Sequence, residues 1–205
     1  MEERLRAGVA IYNAGEYHAA HDAWEERWLG LREGTEDERL LHGLIQYTAA
    51  VHHATNRNWP GTVGLAESAL AYLGDVPGDY RDVDVARARE FLGLLAADPE
   101  RIERAPPWPL LVDGAAVEPR DLGPEALGIA AATVAEHAGL DETVVERAAD
   151  RLEAGVDRND DRFRALLEDL VTSGEERGIA HQRLSEHVAR AESRDRDVDG
   201  LFEEE

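Results

Sequence analysis

The stretch Arg39-Leu40-Leu41-His42-Gly43-Leu44-Ile45-Gln46-Tyr47-Thr48-Ala49-Ala50-Val51-His52-His53-Ala54-Thr55-Asn56-Arg57 decides the fold. The seventeen residues between its two arginines include no Asp, Glu, Lys or Arg, in a chain where charged residues make up 32%. A helix without a charged face is surrounded by protein, so these residues predict a largely buried central helix. Thr35 followed by Glu38 is a capping box and starts it at about residue 36; it continues to about residue 55. With successive residues about 100° apart, Leu40, Leu41, Leu44, Ile45, Thr48, Val51 and His52 form a broad apolar arc, and His42, Gln46, Ala49, Ala50 and His53 occupy the rest. Polar groups on such a helix need partners, because an unsatisfied one costs about 1–3 kcal/mol.

Outward from this helix the pattern stays helical, which gives an all-α multihelical bundle. Leu5, Val9 and Tyr12 recur at helical spacing before a stop at Asn13-Ala14-Gly15. A second helix covers about 16–30, with Tyr17, Ala20, Trp24 and Trp28 on one side. Pro60 suits the first turn of a fourth, which carries Val63, Ala66, Leu70 and Leu73, and a fifth covers about 83–97. Residues 1–105 are thus expected to be a helical bundle. Residues 106–123, rich in Pro and Gly, cannot be regular helix and are expected to be a linker. Four shorter helices follow in a C-terminal extension, 124–205: about 124–138, 142–155, 161–172 and 175–192, the last opened by a Ser173…Glu176 capping box and trailed by a frayed acidic tail. Their narrow apolar stripes predict that they lean on the first bundle or on a second subunit.

Composition removes whole classes of function. With 44 acidic against 22 basic residues the formal charge is −22, which repels nucleic acid and anionic membrane. Every basic residue is arginine, so no lysine is present to form a Schiff base or serve a phosphate loop, and the absence of cysteine removes thiolate and disulfide chemistry. Acids spread from Glu2 to Glu205 suit concentrated salt, where the Debye length falls to about 3 Å at 1 M; a halophile's cytoplasmic protein is the expectation. No apolar run reaches the roughly 18 residues of a membrane span, and the charged start lacks a signal peptide's apolar segment.

The second helix offers the central one a matching polar face, because His21, Glu25 and Trp28 fall at i, i+4 and i+7. Antiparallel packing would bring His21 and Glu25 to Gln46 and His53, walled by Trp24 and Trp28. Such a set of imidazoles, carboxylate and carboxamide could hold a divalent metal through His21, Glu25 and His53, bind a small molecule, or do acid–base work. The same residues would equally serve as a hydrogen-bond network fixing helix register. A non-enzymatic helical scaffold with a peptide groove is the other reading, since Tyr17, Ala20 and Trp24 are echoed 42 residues later by Trp59, Thr62 and Ala66. A homo-oligomer, a small molecule or a peptide are the candidate partners. The zinc-protease signature, the serine elbow and the Gly-rich dinucleotide loop are absent.

Three blocks carry a family resemblance. Tyr12-Asn13-Ala14-Gly15-Glu16-Tyr17 leading to His21-Asp22-Ala23-Trp24-Glu25-Glu26-Arg27-Trp28, then Gly43-Leu44-Ile45-Gln46, then His53…Asn58…Gly61, stand in order over residues 5–75. The chain there resembles the family catalogued as domain of unknown function 309. The resemblance implies an all-helical domain and gives weight to His21, Asp22, Glu25, Trp28, Gln46, His53, Asn58 and Gly61 as one set, but it brings no activity with it. Asp22 stands where the family usually has Glu, and Thr62 where it often has Ala.

Overall fold

A computed structural model describes residues 1–155 and 160–200. The chain divides into two compact units, Met1–Leu122 and Gly123–Glu205. The described residues form nine α-helices and one two-stranded hairpin: α1 Glu2–Asn13, α2 Tyr17–Leu29, α3 Glu36–Thr55, α4 Trp59–Gly74, α5 Val85–Ala97, β1 Leu111–Val112, β2 Ala115–Ala116, α6 Pro124–His137, α7 Glu142–Ala154, α8 Asp160–Thr172 and α9 Arg177–Gly200. No helix among them is long and apolar enough to cross a membrane. The tail expected beyond residue 200 lies outside the described residues.

In the first unit successive helices pack on one another, and α3 meets both α2 and α4. Leu40, Leu41, Leu44, Ile45, Tyr47, Thr48, Ala50, Val51 and Ala54 of α3 are buried, as the absence of charge predicts. The burial is one-sided. His42, Gln46, Ala49 and His53 of the other arc are only half-buried, as is His52, expected on the apolar arc, while Ala50 is buried; the polar side of the helix borders solvent. Close approach relies on two glycines. A Cβ on Gly8 of α1 would lie 2.2 Å from Nε1 of the buried Trp24 on α2, and one on Gly43 of α3 would lie 2.5 Å from the Leu73 side chain on α4.

Residues 106–122 differ from the expected linker, because they belong to the first unit. Asn13 at the end of α1 donates from Nδ2 to the carbonyls of Leu110 (3.0 Å) and Val117 (2.9 Å) and accepts from the Leu110 amide at Oδ1 (2.9 Å). Tyr12 donates its hydroxyl to the Trp108 carbonyl at 2.9 Å. Leu110, Val112, Val117 and Leu122 are buried. Between β1 and β2, Asp113 and Gly114 both have positive φ (54° and 75°), the turn that an Asp-Gly pair favours in a two-residue hairpin. Prolines exclude helix here without excluding packing.

The second unit is built from α6 to α9, with α6 on α7 and α8, α7 on α8 and α9, and α8 on α9. These mutual contacts supply the cover that narrow stripes alone would need from elsewhere, and Phe163, Leu166, Leu167, Leu170, Val171 and Leu184 are buried. The predicted Ser173 box does not form. The Ser173 hydroxyl bonds back to the Asp169 carbonyl, and a 3-10 turn at Gly174–Glu176 precedes α9, which continues to Gly200.

Candidate functional site

Glu38 is the one buried acid among the described residues, at 8% exposure. It sits in the first turn of α3, where Thr35 Oγ1 accepts its amide as the capping box requires. Its carboxylate is not spent on the cap. Oε1 accepts from Nε1 of Trp28 on α2 (3.0 Å) and from Nδ1 of His42 one turn along α3 (3.3 Å), and Oε2 accepts from the Gly34 amide (3.2 Å). Burial acts to raise the carboxyl pKa, but the donors Trp28, Gly34 and His42 outweigh it, and the group lies below its ordinary value.

This carboxylate fixes an aromatic wall. The His42 ring stacks on Tyr72 of α4 with centroids 3.6 Å apart and lies 4.5 Å from the Trp28 ring. Because Glu38 can only accept, His42 Nδ1 is the donor, and in the neutral ring Nε2 is left as an acceptor. A pocket of about 450 Å³ opens over these rings, lined by Trp28, Leu29, Leu31, Glu33, Gly34, Glu38, Arg39, His42 and Tyr72. Next to it, Asp37 takes Tyr80 Oη at 2.9 Å and an ion pair from Arg81; the Arg81 bond, ahead of opposing burial, holds the Asp37 carboxyl below its ordinary value. Arg81 and Asp82 both have positive φ (52° and 62°), a left-handed turn anchored against the start of α3.

The residues expected to form one cluster are dispersed among several places. His21, Asp22 and Glu25 share the outer face of α2, their ligand atoms all within 4.8 Å of one another, with His21 Nε2 3.8 Å from Glu25. His53 does not join them: among the described residues no group of three potential ligands includes it. Its Nδ1 accepts from Asn58 Nδ2 at 2.6 Å while Asn58 Oδ1 accepts from the Gly61 amide at 3.2 Å, capping α4. A Cβ at position 61 would lie 2.5 Å from His53 Nδ1 and 2.7 Å from Asn58 Nδ2. His53, Asn58 and Gly61 therefore work as the device that ends α3, turns through Arg57 at φ 58° and starts α4. Among the described residues the trio His21, Glu25 and His53 is not one of the groups of potential ligands brought within reach of one another, and His53 Nδ1 is engaged by Asn58 instead.

Trp24 and Trp28 also part company. Trp24 is fully buried with Nε1 on the Leu5 carbonyl (3.3 Å), a core residue, while Trp28 belongs to the pocket. Gln46 is half-buried on α3 and does not line the pocket. Glu38, His42 and Tyr72 were not singled out as site residues from the sequence. The i, i+4 spacing of Glu38 and His42 is a legible signal, whereas nothing in the spacing points to Tyr72.

A stretch of 90 residues is 27% identical to an uncharacterized protein of Aquifex aeolicus (strain VF5), covering 44% of this chain and 27% of that protein. The chain thus matches little more than a quarter of the relative's length. Residues 5–65 match the model of the family described as Domain of unknown function (DUF309), so the part of the chain similar to that family runs from α1 to the middle of α4 and holds every pocket residue except Tyr72.

Proposed function

We propose that the first unit binds a small organic molecule in the pocket over Trp28, His42 and Tyr72. The observation that carries this is the buried Glu38 carboxylate, which spends its lone pairs on Trp28 and His42 and so holds two ring side chains beside an open volume of about 450 Å³. Preorganised rings with a few placed polar groups are what small-molecule sites share. The test is a titration of the full chain with aromatic fragments of each charge type, read from the indole N–H resonance of Trp28, which Trp28→Phe assigns. Millimolar fragments should move that resonance, and Glu38→Gln, which removes the charge behind the three bonds accepted from Trp28, His42 and Gly34, should weaken binding roughly tenfold, or about 1.4 kcal/mol. If the Trp28 resonance stays put for every fragment, the reading fails.

A second reading is favoured by the grouping of His21, Asp22 and Glu25. An imidazole and two carboxylates on one helix face are N/O donors suited to a first-row divalent ion. Calorimetric titration with Ni²⁺ should give heat from one site, lost in the His21→Ala, Glu25→Ala double variant with helical content unchanged. Equal heats from the two proteins would remove the metal from consideration.

A further inference from the structure

Resting on the pocket reading above, we infer that the occupant is a small organic cation, a protonated amine carried on an apolar body. Three features of the lining converge on that chemistry. The first is charge. Glu33 and Glu38 are the acids of the lining; no ion pair among the described residues engages Glu33, while Glu38 is met by the Trp28 indole and Gly34 amide besides His42. The one cation in the lining, Arg39, is paired with Asp75 at 3.6 Å. An anionic ligand would therefore meet two acids and one arginine that is itself shared with Asp75, on a chain of net charge −22, whereas a cation is drawn in.

The second feature is the rings. Trp28 and Tyr72 present aromatic surface to the pocket, and the face of an aromatic ring, tryptophan above all, attracts a cation through its quadrupole. The third is directional. With Nδ1 committed to Glu38, His42 in its neutral form has Nε2 as an acceptor without a protein partner among the described residues, and there it can take an N–H from the ligand. Carboxylate, ring face and imidazole acceptor together favour an ammonium that retains N–H bonds over a quaternary one. Leu29 and Leu31 supply the apolar rim for the attached body; Leu29 is 71% exposed, unusual for so large an apolar side chain.

The experiment is a matched series on the full chain at pH 8: 3-phenylpropylammonium, its N,N,N-trimethyl analogue, 3-phenylpropanol and 3-phenylpropanoate, followed through the Trp28 indole resonance and by calorimetry. The primary ammonium should bind at least tenfold tighter than the alcohol, the carboxylate weakest, and the trimethyl analogue several-fold weaker than the primary amine. Glu33→Gln, an exposed position that does not threaten the fold, should reduce the ammonium-to-alcohol ratio several-fold. His42→Phe keeps a ring in the wall and should erase the preference for the primary over the trimethyl ammonium. Equal binding of alcohol and ammonium, or tighter binding of the carboxylate, overturns the cation assignment while leaving the pocket reading intact; no binding by any of the four overturns both.

Discussion

Trp24→Ala should destabilise the chain by about 3–5 kcal/mol, the range for deleting a large aromatic from a core. Trp24 is fully buried, and its indole fills the space that Gly8 leaves open on α1 while bonding the Leu5 carbonyl. The truncation therefore opens a cavity between α1 and α2 and removes the indole's bond to that carbonyl, which keeps its helical partner. The reverse error is informative too. Gly8→Ala gains up to about 1 kcal/mol in helix propensity, but its Cβ would stand 2.2 Å from Nε1 of a rigid buried ring, and overpacking of this kind costs about 1–3 kcal/mol. The net effect should be a loss. In a Trp24→Ala background the same methyl meets an empty space, so Gly8→Ala should there be neutral or stabilising, a coupling that a double-mutant cycle isolates. Denaturant unfolding followed by circular dichroism at fixed salt measures all four proteins; additive effects would show that the two residues do not share one space.

Asn13→Ala should cost about 2–4 kcal/mol, because one side chain satisfies two carbonyls and one amide of a segment with little secondary structure of its own. Asn13→Asp tests the mechanism at constant shape. It keeps an acceptor for the Leu110 amide but turns the donor toward Leu110 and Val117 carbonyls into a second acceptor, so it should destabilise at least as much as alanine. Both variants should loosen residues 106–117 before the helices melt. Trypsin cleavage at Arg104 and Arg120, which border the segment, should accelerate many-fold relative to the parent in the same salt, and unchanged cleavage with an unchanged melting temperature would mean that these bonds do not hold the segment.

These two residues show where sequence reading reaches and where it stops. The helices were legible because each is announced locally: a charge-free run for α3, Asn13-Ala14-Gly15 for the end of α1, with Gly15 at φ 91°, and Pro60 in the first turn of α4. That Asn13 is more than a stop signal was not legible, since its partners lie 97 and 104 residues away and no periodicity links them. The hairpin carries a local Asp113-Gly114 signal, but the surrounding prolines point only to irregular chain. At the site, helical spacing correctly placed His21 beside Glu25. It could not decide whether His53 faces α2 or the start of α4, and the Asn58 side chain settles that choice. In the sequence the capping box accounts for Glu38, yet in the fold its amide makes the cap and its carboxylate remains available for Trp28 and His42.

The tie between Asn13 and Val117 also sets a schedule for biosynthesis. A ribosome adds about 5–20 residues per second, so the 104 residues that separate the two ends take roughly 5–20 s to emerge. During that interval α1 to α5 can meet one another, but the Asn13 amide and the Tyr12 hydroxyl have no carbonyl to receive them. The nascent chain must wait with the end of α1 unlatched, and the first unit closes only when the hairpin that follows Trp108 leaves the exit tunnel.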